Sequence, residues 1–361
     1  MRNSMSLGGA FIGVMAGVGF ASGQEILQFF ASYGWNGLVG LIIATVLMSF
    51  FVMNLYTIGS KLQTSSHQEA IYYICGPKLG SVVDIILTFF LFGIIVIMIA
   101  GAGSSAQQQL GISAYFASAI AAVITVLLVF LGLKRVMAIL SWVTPVLALM
   151  IFIIALYAFT HIQRPFSDLI QIVQTQPQAS HHWLLSALLY VSYNIAGLTA
   201  MLVVMGGRIK NLNDAKLGGI LGGLGVGILI AMMTLVLIAS ADQTQHVDIP
   251  TLFLGNALAP WFGNFVLVFL QIKLIFTCMG LAYALAARCE AYGLNFKGAI
   301  IVCMIMAYIA SQFGFVSLVS YVYPTMGYLG FILMICISIA WFRSKKLSLS
   351  QEPEESLMVQ K

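Results

Sequence analysis

Residues 17–26 read GVGFASGQEI, which places three glycines and the polar residues Ser22, Gln24 and Glu25 within a long apolar stretch. A glycine inside a helix costs about 1 kcal/mol relative to alanine. Unwound backbone in a bilayer is tolerated only where protein buries it or where it lines a cavity. The stretch therefore predicts a helix that is broken within the membrane, with a polar site at the break.

The composition of the whole chain indicates that this helix lies in a bilayer. Of the 361 residues, 61% are hydrophobic and only 7% are charged, whereas soluble domains average about 25% charged residues. So few charges cannot cover a water-facing surface, which excludes a soluble enzyme, a nucleic-acid-binding protein and a disordered chain. The sequence predicts an integral membrane protein that has the lipid bilayer as its surroundings.

The apolar runs set the number of spans. A bilayer core needs about 20 apolar residues per helix, and the runs do not alternate as the strands of a membrane barrel do. We therefore predict an all-α polytopic membrane protein with ten transmembrane helices. Their predicted ranges are 6–31, 38–60, 82–107, 113–132, 136–160, 183–206, 217–240, 262–287, 298–314 and 317–342.

The basic residues indicate how these spans are oriented. Fourteen of the sixteen Lys and Arg residues fall at the N-terminus, in the even-numbered connections or in the tail, whereas Arg164 lies on the opposite side and Lys273 lies inside a span. By the positive-inside rule both termini are cytoplasmic, so we predict a multi-pass protein of the cell membrane. The net charge of +5 follows from this topology and indicates no nucleic-acid partner.

Two segments in the two halves of the chain resemble each other. Residues 141–153 (SWVTPVLALMIFI) and 320–332 (SYVYPTMGYLGFI) share five residues in register at an offset of 179. With five spans per half, such a repeat is inverted in the membrane, which is a common construction of secondary transporters. We predict a 5+5 inverted repeat with helices 1 and 6 broken. The predicted parts are 1–160 (first repeat), 161–182 (extracellular loop with a short interfacial helix), 183–342 (second repeat) and 343–361 (polar cytoplasmic tail).

The prediction of a second break rests on span 6, the first helix of the second half. It carries a polar cluster around Gly197, with Tyr193, Asn194 and Thr199, at mid-depth. Close helix packing through small residues is the alternative explanation, and it accounts for the glycines of residues 218–227 in span 7.

These features carry a family resemblance. Gly17-Val-Gly19-Phe20, the 5+5 arrangement and the polar cluster of span 6 resemble the amino-acid–polyamine–organocation superfamily with the LeuT-type fold. The string GVGFASGQEI resembles the YkvI-like branch of that superfamily. The resemblance implies a cation site built from span-1 carbonyls and span-8 hydroxyls, where Thr277 matches a hydroxyl position. Cys278 departs from the serine that sodium-coupled members often have next to it, which weakens the case for sodium.

The breaks would also form the solute site. Half-helix ends offer N–H groups to a carboxylate and carbonyl groups to an ammonium, so we expect a small amino-acid-like or amine solute as the partner. The expected substrate-binding residues are Gly17, Gly19, Phe20, Ser22, Gln24, Tyr193, Asn194, Gly197 and Thr199.

Glu25 and Lys273 are ionisable residues within spans, and such residues are costly enough to indicate a function. With Thr277 they are the candidate coupling residues. Three alternatives stay open: proton coupling through Glu25, Lys273 or both; sodium coupling; and an uncoupled or structural role. The structural role is either a Glu25–Lys273 pair or a Lys273 that packs its stem and reaches a polar cavity. Apart from the coupling ion, H⁺ or Na⁺, we expect no cofactor. The histidines lack matched carboxylate ligands, so no metal site is expected.

Two polar or structured segments are predicted on the outer side. Residues 249–263 are apolar, too short to span and resemble an external loop of the family, which favours a gate element. Residues 104–109 end span 3 with serines and glutamines, a pattern typical of a solvated helix end.

The expected function is secondary active transport by alternating access, such as symport of an amino acid. A ligand sensor on the same fold, like the germinant permeases, is an alternative, and a channel is a further one. No span carries a polar stripe from end to end, as a channel would require. The loops contain no GxSxG motif or phosphate loop, so an enzyme is not expected. The oligomeric state is not predicted.

Overall fold

The regular elements of the protein are all helical. The computed structural model describes residues 2–15, 22–63, 67–131, 136–291 and 293–358. The helices are α1 (Arg2–Met15), α2 (Gln24–Phe29), a short 3₁₀ helix (Ala31–Tyr33), α3 (Trp35–Leu62), α4 (His67–Leu110), α5 (Ala114–Leu131), α6 (Val136–Thr160), α7 (Phe166–Val173), α8 (Trp183–Gly207), α9 (Leu212–Ala239), α10 (Pro250–Leu258), α11 (Pro260–Ala291), α12 (Phe296–Ser311) and α13 (Phe315–Met358).

Seven helices in the described ranges are long and apolar enough to cross a membrane: α3, α4, α5, α8, α9, α11 and α13. Each overlaps one of the predicted spans. The predicted spans 136–160 and 298–314 coincide with α6 and α12, whose described apolar parts are shorter, at Ala148–Thr160 and Phe296–Ser311. The all-helical, multi-pass architecture is therefore confirmed, while the count of ten and the orientation stay predictions.

The first predicted span is divided between α1 and α2. Gly23 precedes α2 with φ +80° and ψ −19°, a left-handed conformation that glycine adopts without the Cβ clash of other residues. A right-handed helix cannot run through such a residue, so span 1 is interrupted at this point, as the sequence predicts. The neighbouring positions Gly17, Gly19 and Phe20 lie outside the described residues.

The predicted break in span 6 is wrong. Helix α8 runs without interruption from Trp183 to Gly207, because its polar side chains have partners that leave the helical backbone intact. Asn194 and Thr199 donate to carbonyl groups one turn earlier, at 2.9 and 2.6 Å. Ser192 donates to the Gly327 carbonyl of α13 at 2.6 Å.

The glycines of α9 are close-packing positions, in agreement with the sequence analysis. A Cβ atom placed on Gly219 would lie 2.4 Å from the Cα of Met53 on α3, and one on Gly218 would lie 2.8 Å from the Cβ of Leu7 on α1. Helix α9 is thus held between two neighbours at backbone distance. The glycines that face α3 are Gly219, Gly223 and Gly227, and those that face α1 are Gly218, Gly222 and Gly225.

The helices pack in two groups. Helix α3 contacts both α8 and α9, and α1 contacts α9, which makes the first group; α4, α5, α11 and α12 all contact one another in the second group. Helix α13 lies between α8 and α4, and α6 contacts both α9 and α11. The short helix α2 meets α8, α9 and α13, so the interruption of span 1 lies next to the first group.

The short helix predicted in the loop 161–182 is present as α7. Its apolar residues Leu169, Ile170 and Val173 are buried because they pack on the 3₁₀ helix and on α9. Its apolar face is therefore covered by protein, and its location at the membrane interface stays a prediction.

Candidate functional site

Glu25 is the centre of the candidate site. It lies in the first turn of α2, directly after the interruption of span 1, and only 6% of it is exposed. The hydroxyl of Tyr193 on α8 donates a hydrogen bond to its carboxylate. The side chains of Asn194 and Tyr190, also on α8, lie beside the carboxylate. Tyr190, Tyr193 and Asn194 are spaced i, i+3 and i+4, which places them on one face of a helix.

Aromatic rings surround this carboxylate. Tyr193 stacks on Tyr323 of α13 with 4.7 Å between ring centroids and an interplanar angle of 15°. Tyr190 meets Tyr193 edge-on at 5.6 Å. We call Tyr190, Tyr193 and Tyr323 the tyrosine cluster. Phe29 extends it at 5.6 Å from Tyr193, so α2, α8 and α13 meet in a single aromatic core.

Lys273 does not belong to this cluster. It lies on α11, is 6% exposed and makes interactions of its own. Among the described residues, the groups that act on the Glu25 carboxylate are neutral side chains of α8, and no basic side chain is one of them. Glu25 and Lys273, both among the described residues, therefore do not form the structural pair that the sequence left open. They occupy separate places.

Gln24 brings an unused acceptor to the interruption. It is 2% exposed, and within the described ranges its side-chain oxygen Oε1 has no hydrogen-bond partner. Its backbone N–H donates to the hydroxyl of Ser22 at 3.3 Å, and Ser22 is also buried. A buried polar atom without a partner costs about 1–3 kcal/mol, so a donor from a ligand would be favourable here.

One face of α8 leads from Glu25 to accessible surface. Asn194 is half-buried, Gly197 is exposed, and Met201 is 39% exposed. A Cβ atom placed on Gly197 would meet no other atom within 4 Å. These positions follow one another at helical spacing. Thr199, another expected substrate residue, is fully buried and lies away from this accessible face.

Helix α10 covers the interruption. A Cβ atom on Gly23 would lie 3.3 Å from Thr251 Cγ2 and 3.6 Å from Pro250 Cβ, so the start of α10 packs directly on this glycine. We call α10 and the two residues before it, Asp248 and Ile249, the lid.

The lid is attached to the polar end of α4. The Gln108 side chain donates to the Ile249 carbonyl at 3.0 Å and accepts the Ile249 N–H at 2.9 Å. Ser104 donates to Asp248 at 2.5 Å, and Gln109 donates to Asn256 at 3.1 Å. Ser104, Gln108 and Gln109 thus bind the lid while Gln107 is exposed, so the predicted solvated helix end describes only part of residues 104–109.

Helix α2 is also fastened on its far side. Gln28, which is fully buried, donates to the Val316 carbonyl at 3.2 Å and accepts the hydroxyl of Ser320 at 2.9 Å, both on α13. Ser186 of α8 donates to the Phe29 carbonyl at 2.9 Å. These bonds fix α2 between α8 and α13.

The expected cation site is only partly described. Thr277 on α11 is half-buried, and Cys278 is fully buried beside Thr125 of α5. The span-1 carbonyls that would complete a sodium site belong to residues 16–21, outside the described residues. The described ranges contain no cluster of three or more His, Cys, Asp or Glu side chains that would hold a metal ion.

The structure thus brings Glu25, Tyr193 and Asn194 together and places Ser22 and Gln24 beside them. Sequence reasoning missed Tyr190 and Tyr323. Tyr190 carried a usable signal, because it precedes Tyr193 by one helical turn. Tyr323 belongs to a distant segment, so its contact with Tyr193 is a product of the fold.

Comparison with known sequences gives two uncharacterised relatives from Bacillus subtilis (strain 168). The chain is 27% identical to the uncharacterized membrane protein YkvI over 319 residues, which is 88% of this chain and 90% of YkvI. It is also 27% identical to the uncharacterized protein YyaD over 338 residues, 92% of this chain and 96% of YyaD. No family model matches the chain.

Solved structures with the same fold are membrane proteins of low sequence identity. The inward-facing conformation of Mhp1 aligns with a TM-score of 0.63 at 13% identity, covering 93% of this chain and 76% of Mhp1. A closed conformation of Mhp1, a nucleobase-cation-symport-1 family transporter with bound bromovinylhydantoin, gives 0.51 at 15% identity, with coverage of 85% and 70%. MhsT in complex with L-phenylalanine gives 0.59 at 14% identity, with coverage of 90% and 86%.

These likenesses agree with the all-helical architecture described above. The chain is an all-helical, multi-pass membrane protein with the LeuT-type fold, and in sequence it is similar to YkvI over most of its length.

Proposed function

We propose that the protein is a secondary active transporter that moves a small amino-acid-like or amine solute across the cell membrane by alternating access, coupled to protons through Glu25. The observation that carries this proposal is the buried Glu25 carboxylate at the interruption of span 1, held by α8 side chains. A carboxylate at this depth is costly and is retained where it handles a substrate or an ion.

The arrangement of helices supports alternating access between two related halves. The contact between α1 and α9 resembles the contact between α8 and α3. In the same way, the contact between α5 and α11 resembles the contact between α12 and α4. Under a 5+5 repeat, α1 with α2 corresponds to α8, α3 to α9, α4 to α11 and α5 to α12. Each of these contacts then has its counterpart in the other half, as a two-fold relation requires.

The accessibility of the site supports a transporter over a channel. On one side the lid covers Gly23 and is bonded to α4. On the other side Gly197 and Met201 are accessible. A site that is closed at one end and accessible from the other suits alternating access. With both termini cytoplasmic, the lid is on the extracellular side.

The same residues favour a proton as the coupling ion. Glu25 has a hydroxyl donor and no basic neighbour among the groups described around it, which suits a group that gains and loses a proton. Lys273 is the second candidate for proton coupling, since burial makes a lysine ready to exchange its proton. Sodium binding near Thr277 is the alternative.

The test is a ligand screen by thermal stability on the purified full chain, followed by transport of the ligand found. Amino acids and amines are compared at acidic, neutral and alkaline pH, in NaCl and in KCl. We expect a ligand that raises the melting temperature in a pH-dependent and sodium-independent way, and that undergoes counterflow in proteoliposomes. Stabilisation only in NaCl would contradict proton coupling. Ligand binding without counterflow would favour the sensor over the transporter.

A further inference from the structure

The Glu25 carboxylate has no positive partner among the residues that the structure describes. The titratable groups that face it are Tyr190 and Tyr193 of α8 and Tyr323 of α13. The lid contributes the uncharged Thr251 and Pro250, and α9 contributes Leu237, at the adjacent Gly23. An ionised carboxylate removed from water needs a compensating positive charge. The site is therefore stable with either a proton or a cation on Glu25.

The surroundings of Glu25 suit an organic ammonium group. Ring faces attract cations, most strongly where water is excluded. Tyr193 and Tyr323 stack beside the carboxylate and cover one face of each other, so a cation would meet their outer faces. The preceding residue, Gln24, is also buried and carries an acceptor, Oε1, that lacks a partner within the described ranges. An ammonium supplies both a positive charge and several N–H donors. A carboxylate on the solute would be repelled by Glu25, so the cluster favours an amine over a zwitterion.

One face of α8 extends from the carboxylate to an exposed position. Asn194 lies beside Glu25 and is half-buried, and the next position on the same face, Gly197, is exposed. The polar amide of Asn194 thus connects the buried carboxylate to accessible surface.

We propose that Glu25 and the tyrosine cluster are the binding site for the ammonium group of an organic amine, and that a proton and the amine occupy this site in turn. The inference rests on the proposed function and specifies its substrate class and mode of coupling. When R–NH₃⁺ binds, the O–H bond of Glu25 breaks, its proton passes to water, and the carboxylate pairs with the ammonium. One positive charge replaces another, so the protein exchanges protons for amine across the membrane.

Proton release on ligand binding tests this exchange. The purified full chain in weakly buffered detergent solution, with a pH indicator, is titrated with n-butylamine, benzylamine or L-leucine. We expect release of about one proton for each amine bound at pH values where Glu25 is protonated, and an amine affinity that rises up to about tenfold per pH unit. L-Leucine is expected to bind more weakly than either amine.

Variants distinguish the contribution of the carboxylate to amine binding from that of the aromatic rings. Glu25→Gln is expected to abolish proton release and to lower amine affinity at least about tenfold, an effect of the size of one charge-assisted hydrogen bond. Glu290→Gln removes an exposed acid on α11 and is the matched control. Tyr193→Leu removes a ring and is expected to weaken amine binding more than Tyr193→Phe, which keeps it. If Glu25→Gln does not fold, Glu25→Asp retains the charge and should keep proton release with weaker binding.

The failure of this inference can be told apart from failure of the proposed function. Amine binding that is independent of pH, or unchanged in a folded Glu25→Gln variant, would overturn the exchange site. So would a wild-type chain that binds and transports a different class of solute but no amine, and that result would leave the transporter function standing. Ligand binding without counterflow would instead contradict the proposed transport function.

Discussion

Gln108 and Ile249 are joined by a pair of hydrogen bonds. The side-chain amide of Gln108 donates to the Ile249 carbonyl at 3.0 Å and accepts its N–H at 2.9 Å. Ile249 is completely buried at the start of the lid, where its carbonyl also accepts the Phe253 N–H of α10 at 3.2 Å. A single side chain of α4 therefore satisfies both groups and holds the lid against Gly23.

Replacing Gln108 by alanine is expected to loosen the lid. Two buried hydrogen bonds contribute about 2 kcal/mol together, which corresponds to about 30-fold more frequent opening. Thr251→Cys, in a background without the five native cysteines, reports opening through its rate of reaction with a membrane-impermeant maleimide. The exposed Gln107 provides the control variant, Gln107→Ala. Equal labelling rates in the two variants would contradict the role of Gln108.

The hydrogen bond between Tyr193 and Glu25 is expected to appear as a coupling energy. Tyr193→Phe retains the stacked ring but leaves the buried carboxylate short of a donor, at a cost of about 1–3 kcal/mol in stability. The same change should cost markedly less in a Glu25→Gln background, and the difference is read from a double-mutant cycle of chemical unfolding. Tyr321→Phe, at an exposed position of α13, is the control. A cycle with no coupling would mean that this hydrogen bond does not contribute.

Lys273 is expected to act as a built-in cation near Thr277. The two residues are one helical turn apart on α11, so they share a face. Lys273→Gln removes the positive charge from a buried position. We expect the stabilisation of this variant by ligand to depend on NaCl, whereas that of the wild type does not. Thermal shifts in NaCl and KCl measure this dependence. Lys297→Gln, at an exposed position, should behave as the wild type. If sodium does not change the ligand-induced thermal shift of Lys273→Gln, the lysine does not replace a bound sodium ion.

A methyl group at Gly219 is expected to separate α9 from α3. Its Cβ atom would lie 2.4 Å from Met53 Cα, and backbone cannot yield as a side chain can. Gly219→Ala should therefore destabilise the protein by about 1–3 kcal/mol, the usual range for overpacking, which differential scanning measures as a lower melting temperature. Gly280→Ala, where no atom lies within 4 Å, should not lower the melting temperature, because alanine favours a helix more than glycine does. Equal melting temperatures for the two variants would contradict close packing at Gly219.

Most of the fold could be predicted because it depends on patterns that are local in sequence. The apolar runs located the spanning helices, and Gly23 has the left-handed backbone expected at a break. The break in span 6 was predicted from polar residues alone, and this failed because a helix can satisfy them itself. Asn194 and Thr199 donate to carbonyl groups of the preceding turn, and residue types alone do not show where a side chain points.

The candidate site, too, could be predicted only in part. Glu25, Tyr193 and Asn194 stand out as polar residues within apolar spans, and the structure brings them together. The Tyr323 ring and the lid contacts of Gln108 could not be predicted, because each joins segments more than a hundred residues apart. Lys273 looked like a partner for Glu25 only because both are charged.

The two rows of glycines on α9, one facing α1 and one facing α3, prevent the helix from rotating about its own axis. Its remaining side turns Leu224 and Ile228 outward, 46% and 69% exposed. A rotation by one residue would drive leucine and isoleucine side chains into the backbones of α1 and α3 and would turn bare glycine toward lipid. Any conformational change must then carry α9 along with both neighbours as a tilt of the whole assembly. The sequence of this one helix thus limits which motions the protein can use.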